Sequence, residues 1–368
     1  MTRLAVLLEQ CLSPVPGGTG RYSRELAAAL AATAPAGSTV AGWTAYHRDT
    51  AAARVPGVAG PHRLPLPRRA LTLAWERQRG PAPRRGDVVH APTPLAPPRR
   101  GRPLVVTVHD AVPWTHPDTL TPRGVAWHRR MVEYAARVAD RIVVPTRAVA
   151  DELAAVLPIA PDRLAVVGEG ASADLHPPAD ADERAARLGL PAGGHLLSLA
   201  TLEPRKGLDV LLAALAHPAA PDLPLLVVGQ PGWGGVDPLA EAARLGIPAG
   251  RVRVLGWLSD ADLAVVLTRA TALATPSRAE GFGLPLLEAM AAGVPVVSSD
   301  APALVEVGGG AAVVVPREDP AALAEALARV AADPNLRATL AAAGRKRATA
   351  YTWEGAARTL WALYAELI

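Results

Sequence analysis

Short apolar and β-branched runs alternate along this chain with Ala-rich stretches of helical period, and the alternation stops once, near residue 175, and then begins again. That pattern constrains the fold more than any composition figure. Strands separated by helical stretches of about 10–15 residues pair in parallel, with helices covering both faces of the sheet. In the first half, strands are read at Arg3–Leu8, Val40–Thr44, Asp87–His90, Pro103–His109, Arg141–Val144 and Leu164–Val167. A glycine loop at Gly17, Gly18 and Gly20 feeds a helix to about Ala32, and further helices lie near residues 70–79, 122–138 and 147–156. Pro-rich loops are read at 56–67 and 91–103, and residues 168–182, GEGASADLHPPADAD, have the composition of a linker. In the second half, strands are read at Leu196–Ala200, Pro224–Val228, Arg251–Leu255, Thr271–Ala274, Val294–Ser298 and Ala312–Val315. With 368 residues and a usual domain size of about 100–200, the expectation is α/β: two Rossmann-like domains with parallel sheets facing each other across a cleft. Their bounds are 1–175 and 176–350, and the run 351–368 is read as a last helix.

Half of the residues are hydrophobic, enough for two cores. The single cysteine, Cys11, excludes an internal disulfide and suits a reducing cytoplasm. The opening apolar run Leu4–Leu8 is too short for a signal peptide and ends in Glu9 and Gln10. No charge-free apolar run reaches roughly 18 residues, so a soluble or at most peripheral cytoplasmic protein is expected. The formal charge of +4 is unevenly spread. Residues 1–175 hold 22 Arg against 14 Asp and Glu, while 176–368 hold 16 Lys and Arg against 20. Within 63–102 there are ten Arg and only Glu76 and Asp87. Such a segment favours an anionic partner, a lipid head group or a lipid-linked phosphate. Nucleic acid is not expected, since no recognition motif accompanies the charge. Arg68, Arg69, Arg77 and Arg79 flank Leu71 and Trp75, with Leu64 and Leu66 nearby. This is either a basic surface with apolar residues for an anionic membrane or an ordinary helix whose Leu and Trp pack inward.

The chemistry gathers at Ser277–Asp300, SRAEGFGLPLLEAMAAGVPVVSSD. Pro285 suits a first helical turn and Gly293 the residue just past a helix end. Gly281 and Gly283 let backbone approach a ligand, and the helix start behind them offers N–H donors and a positive dipole end. Glu280 stands in the loop and Glu288 about one turn inside the helix. Carboxylates beside a phosphate-accepting helix start suit hydroxyls, so the ligand is read as a sugar nucleotide. In TLEPRKGL, Thr201–Leu208, Arg205 and Lys206 follow a strand end and suit a diphosphate. Lys206 is one of two lysines in the chain, and Phe282 is the only phenylalanine. PVPGGTGRY, 14–22, reads as an anion-receptive glycine nest. In VVTVHDAVPW, 105–114, His109 and Asp110 end a strand.

The Glu-x7-Glu stretch resembles the donor-site signature of the family 4 retaining glycosyltransferases of the GT-B fold, in their mannosyltransferase-like branch. The other three motifs resemble elements of that family too. The resemblance implies an N-terminal acceptor-binding domain, onto which the last helix crosses back, and a C-terminal donor domain. It implies that Glu288 accepts from the ribose hydroxyls and Glu280 from the transferred sugar, while backbone N–H groups at Phe282, Gly283 and Leu284 face sugar and phosphate. Arg205 and Lys206 take the leaving-group charge. Some members also carry an Arg where this chain has Ala200, which leaves more of the task to Lys206. Gly17 and Gly18 approach the donor phosphates, and His109, with Asp110 beside it, lies close to the transferred sugar. The family needs no metal. The strings Asp180/Asp182 and Asp260/Asp262 are read as structural, the second at a helix start where acids favour the dipole. No cofactor is expected beyond the donor, GDP-mannose first and UDP- or dTDP-hexoses behind it. The acceptor is a glycan, a lipid-linked molecule or a natural product. The alternatives are a sugar-nucleotide epimerase on the same fold and a binding protein that turns nothing over.

Overall fold

The computed structural model describes residues 1–172 and 175–368. These divide into two compact units. Unit 1 comprises Met1–Pro117, Pro122–Gly170 and Tyr351–Ile368, and unit 2 comprises Asp118–Thr121 and Ala171–Ala350. The division falls at Gly170/Ala171, inside the stretch read as linker; Ala173 and Asp174 of that stretch lie outside the described residues.

Unit 1 holds a seven-stranded sheet, all parallel. Its strands are β1 (Arg3–Leu7), β2 (Thr39–Tyr46), β3 (Ala59–Pro67), β4 (Val88–Ala91), β5 (Leu104–Thr107), β6 (Arg141–Val144) and β7 (Leu164–Val166). They lie in the order β3-β2-β1-β4-β5-β6-β7. Its helices are α1 (Gly17–Ala32), α2 (Arg68–Glu76), α3 (Val112–Thr115), α4 (Pro122–Val138) and α5 (Arg147–Val156). β4 and β5 are buried along their whole length, as parallel strands covered on both faces must be. β3 lies where a Pro-rich loop was expected. It is the edge strand and pairs with β2 through two register shifts. Proline is tolerated there because an edge strand's outward N–H groups have no ladder partner to lose.

Unit 2 holds a six-stranded parallel sheet. Its strands are β8 (Leu196–Leu199), β9 (Leu225–Val228), β10 (Val252–Gly256), β11 (Ala272–Thr275), β12 (Val296–Ser299) and β13 (Val313–Val315). The order is β10-β9-β8-β11-β12-β13. The covering helices are α6 (Ala181–Arg187), α7 (Leu208–Ala216), α8 (Pro238–Arg244), α9 (Asp260–Thr268), α10 (Leu284–Ala292), α11 (Pro302–Gly308), α12 (Pro320–Ala332) and α13 (Pro334–Ala348). Each sheet has one place where the strand order reverses: β1 beside β4 in unit 1, and β8 beside β11 in unit 2. Loops leaving the carboxyl ends of such a pair diverge, which makes a crevice there.

The last helix, α14 (Trp353–Ala365), belongs to unit 1 and packs on α1. Thr352 caps it, its hydroxyl accepting from the Gly355 N–H. Trp353, Ala356, Ala357, Leu360, Trp361, Leu363 and Tyr364 form its buried stripe. The Trp361 indole N–H donates to the Leu30 carbonyl at 3.0 Å. The Tyr364 hydroxyl meets His90 Nδ1 at 2.5 Å. Truncating Trp361 to Ala should remove about 3–5 kcal/mol of unit 1 stability, whereas Trp361→Phe should cost about 1 kcal/mol through the lost N–H bond. Chemical denaturation combined with hydrogen-exchange mass spectrometry would show the loss in α1 peptides with unit 2 peptides unmoved. Equal loosening of both units would refute this anchoring.

Candidate functional site

In unit 2 the reversal at β8 and β11 brings two of the sequence motifs together. β8 runs into Thr201–Leu208, where a short 3-10 turn, Pro204–Lys206, ends at Gly207 in the left-handed region with φ 67°. Gly207 is the cap of α7, and a Cβ there would fall against the Pro276 carbonyl, so only glycine fits. β11 runs into Pro276–Gly283. Gly283, with φ 94°, turns the chain into α10, and its Cβ position lies 2.5 Å from Leu304. Pro285 stands in the first turn of α10, and Gly293 ends the helix in the left-handed conformation.

Glu280 is the hub of this crevice. Lys206 Nζ donates to its Oε1 at 2.7 Å, Arg205 donates to its Oε2 at 3.1 Å, and the Ser277 hydroxyl donates to Oε1 at 2.8 Å. Arg205 also donates to the Ala279 carbonyl at 2.9 Å and faces Glu203 at 3.7 Å. Burial works against the Glu280 carboxylate, but the charges of Lys206 and Arg205 and the hydrogen bonds from Lys206 and Ser277 outweigh it. Its pKa falls to about 2. Lys206 is held below its ordinary range by burial and by Arg205, against the pull of Glu280 and Glu203. Lys206, Glu280, Ser277, Ser198 and Thr275 share the wall of a small pocket at the ends of β8 and β11. The Thr275 hydroxyl is buried there and makes no hydrogen bond among the described residues. Phe282 and Leu284 bury their side chains, leaving backbone as the part that can face a ligand. Glu288, one turn into α10, is 4% exposed.

A wider groove of about 710 Å³ runs along the amino ends of β8, β9, β11 and β12, walled by alanines with Arg269, Arg337 and Asp222. It lies at the opposite ends of these strands from the Glu280 cluster, and Arg337 is spent on the carbonyls of Val330 and Ala331.

The Asp strings are held by arginines. Arg184 bridges Asp180 and Asp262 at 2.8 Å each, Arg187 meets Asp262 at 2.6 Å, and Arg269 pairs with Asp182. Ser259 caps α9, accepting from the Asp262 N–H.

In unit 1 the glycines expected in a loop open α1, with Gly17 still in a left-handed conformation and Gly18 and Gly20 inside the helix. α1 begins at Gly17, with φ 59°, so Gly17 and Gly18 are its exposed first turn, and Gly20 packs against Pro16. β5 ends at Thr107, two residues before His109, which stands in the loop to α3. Its Nε2 donates to the Pro92 carbonyl at 2.8 Å, and its Nδ1 faces the Glu169 carboxylate at 3.6 Å. Tyr22 of α1 lies edge-on to the ring at 4.6 Å. Asp110 accepts from the Val112 N–H at 3.1 Å, fixing the turn into α3. Glu169 is absent from the sequence reading, hidden in a run of linker composition. Ser277 was quoted without the role it plays in holding Glu280.

The basic segment corrects one reading. Leu64, Leu71 and Trp75 lie in the core of unit 1, and the Trp75 indole donates to the Pro81 carbonyl, so they form no apolar surface. The helix is Arg68–Glu76, and Arg77 and Arg79 follow it, exposed. Arg68 turns inward to the Leu12 carbonyl and Ser13 hydroxyl and toward Glu9. No helix among the described residues is long and apolar enough to cross a membrane.

A depressed carboxylate pKa stabilises the fold above its unfolded value, about 4.3, and that contribution is lost as pH falls through the folded value of about 2. The stability difference between the wild type and Glu280→Gln should therefore be constant above pH ~5, shrink below it and vanish near pH ~2. Urea unfolding across that range measures it; a difference independent of pH would mean that Glu280 is not held ionised by its neighbours.

Residues 188–347 match the family model described as Glycosyl transferases group 1, and residues 16–175 match the one described as Glycosyltransferase Family 4. The chain is 34% identical over 294 residues to a D-inositol 3-phosphate glycosyltransferase of Saccharomonospora viridis, covering 74% of this chain and 66% of that protein. It is 30% identical over 272 residues to O-antigen chain mannosyltransferase B of Escherichia coli, covering 73% and 71%. The chain thus spans 66% of the length of the inositol-phosphate relatives from Saccharomonospora viridis and Salinispora arenicola. Among solved structures, sucrose-phosphate synthase from Thermosynechococcus elongatus has a TM-score of 0.74 at 26% identity, over 100% of this chain and 99% of that one. HepE from Anabaena in complex with UDP-glucose has a TM-score of 0.75 at 20% identity over 100% of both chains, a likeness of fold. Both halves are matched, and a relative 30% identical is covered over more than two thirds of its length: the chain belongs to the family 4 glycosyltransferases of the GT-B fold.

Proposed function

We propose that the protein is a retaining glycosyltransferase that moves a hexosyl unit, mannose first among the candidates, from a nucleotide-diphosphate sugar to an acceptor hydroxyl without a metal. The observation that carries the reading is the cluster of Lys206, Arg205, Ser277 and Glu280 at the ends of β8 and β11. It sets two cations and an ionised carboxylate beside the start of α10, a combination suited to a ligand with both phosphate and hydroxyl groups. In this reading Lys206 and Arg205 take the diphosphate, and backbone N–H groups at Phe282–Leu284 assist them. Glu280 accepts from sugar hydroxyls and Glu288 from the ribose. In unit 1, His109 and the Gly17/Gly18 helix start serve the same transfer.

The sugar's anomeric C–O bond breaks with its electron pair leaving on the diphosphate. The acceptor oxygen forms its bond to that carbon from the same face, and its proton passes to the departing phosphate oxygen. The burden on the protein is to stabilise the leaving charge, which fixed cations and dipoles do without reorganising. Arginine partners already hold Asp180, Asp182 and Asp262, which supports a metal-free route. The acceptor is a glycan, a lipid-linked molecule or a natural product. An anionic one is favoured by the exposed arginines of 63–102 and by the relatives named for inositol 3-phosphate. A cytoplasmic protein that touches an anionic membrane only through those arginines fits the same surface.

The test is a donor screen that reads nucleotide release with and without mixed glycan, inositol phosphate and lipid acceptors. Acceptor-dependent release that survives EDTA, with an α-linked product from an α-linked donor, is expected. Isomerisation without acceptor would indicate an epimerase, and tight donor binding with no turnover a binding protein. Silencing by EDTA or a β-linked product would overturn the mechanism.

A charge-assisted bond to phosphate is worth roughly 1.5–3 kcal/mol, so Lys206→Ala should lower donor-dependent turnover about 10- to 150-fold. Circular dichroism should show the variant folded. Wild-type turnover in it would remove Lys206 from the site.

A further inference from the structure

The two ring nitrogens of His109 face two acceptors, a backbone carbonyl and, where Glu169 is ionised, a carboxylate. Nε2 lies 2.8 Å from the Pro92 carbonyl oxygen, and Nδ1 lies 3.6 Å from the Glu169 carboxylate. A neutral imidazole has one N–H and one lone pair. Here either tautomer would aim its lone pair at the lone pairs of an acceptor. Only the doubly protonated ring gives both oxygens a proton to face.

The surroundings of the ring agree. Glu169 is 4% exposed, and a carboxylate so buried needs a cation beside it. Asp110, next in sequence, adds a second negative charge. Tyr22 makes a T-shaped contact with the ring and keeps its hydroxyl 3.2 Å from the Thr107 hydroxyl. His90 adds no competing charge: burial, and then the charge of His109, push its pKa down to about 3. Its Nδ1 and Nε2 meet Tyr364 and Thr107 hydroxyls, which can donate or accept as a neutral ring requires.

We propose that Glu169 is a positioning residue that fixes His109 as an imidazolium with both N–H groups directed inside unit 1, so that His109 serves the transfer as a fixed cation and not as a proton acceptor. The pairing stands on the geometry of unit 1 alone, while its use in the reaction rests on the transferase reading above. Burial opposes charge on His109, but the Glu169 carboxylate, the Pro92 carbonyl and Asp110 overcome it and hold the ring above its ordinary pKa. A raised histidine pKa means that the ion pair is complete below the ordinary value, about 6.5, and is lost as pH rises through the folded value.

The test is a ¹H–¹³C NMR titration of the histidine rings in the full chain, with the His109 signal identified by its loss in His109→Asn. The wild-type His109 midpoint should lie above 6.5. In Glu169→Gln it should fall by about one to three pH units, the effect of an opposite charge at this range, and Glu169→Asp should recover part of the shift. A wild-type midpoint at or below 6.5, or one that Glu169→Gln leaves in place, would overturn the pairing, and the wild-type titration decides even if the variant unfolds. In the donor assay, turnover should fall as pH rises through the His109 midpoint, and that alkaline limb should move down with it in Glu169→Gln. An alkaline limb that stays put while the NMR midpoint moves would overturn the role as a fixed cation. A chain that pairs His109 with Glu169 but transfers no sugar would sink the transferase reading and leave the pairing standing.

Discussion

Everything assigned to unit 2 depends on one carboxylate being ionised where burial alone would neutralise it. Glu280 stands at the carboxyl end of β11, and the groups that keep it charged arrive from the neighbouring strand, β8. Two loops far apart in sequence are thereby locked to each other by a charge cluster at the point where the strand order reverses. Such a cluster is not an efficient way to stabilise a fold. Desolvating three charges costs several kcal/mol per ion, and well-packed apolar side chains would often do as well. In the proposed function the cluster holds ready two cations for phosphate and a carboxylate for sugar hydroxyls in fixed relation.

The cluster also limits itself. Glu203 and Glu280 together balance Arg205 and Lys206, so the local side-chain charge is close to neutral. A dianionic diphosphate cannot be held by net charge alone in such a setting. In the proposed reading the remaining attraction comes from backbone N–H groups at the starts of α7 and α10, which follow Gly207 and Gly283. Glycine at those two positions is required by their left-handed φ and by the Pro276 carbonyl and the Leu304 side chain that a Cβ would meet.

Sequence pattern served best where the chain is most regular. The strands of unit 2 lie within two residues of their expected bounds because most are short apolar runs closed by Gly, Pro or Asp. β3 was hidden because its prolines argue against a strand, and only its place at the sheet edge makes them harmless. The glycines of α1 were read as a loop because glycine disfavours a helix, yet a first turn has no preceding turn to be weakened. Glu280, Lys206 and Arg205 were legible because their motifs are contiguous. Glu169 was not: its partner is sixty residues away, and its neighbours, two glycines and an alanine, give no local signal. The inward packing of Leu71 and Trp75 could not be decided either, since a basic amphipathic helix looks the same in sequence whichever side its apolar face meets.

That last ambiguity, once resolved, changes what the basic segment can do. With Leu64, Leu71 and Trp75 in the core, Leu73 is the large apolar side chain of α2 that stays exposed. Several of its arginines are also committed: Arg99 to Asp140, Arg100 to the Gly80 carbonyl, and Arg102 to the carbonyls of Pro83 and Arg84. A guanidinium bonded to a carbonyl keeps its full charge, so the patch is a fixed electrostatic surface and not a flexible binding arm. Such a surface raises the encounter rate with an anionic partner and loses its effect when salt shortens the screening length to about 10 Å or less. In the proposed function such a surface attracts a class of acceptor and leaves the choice among hydroxyls to the site.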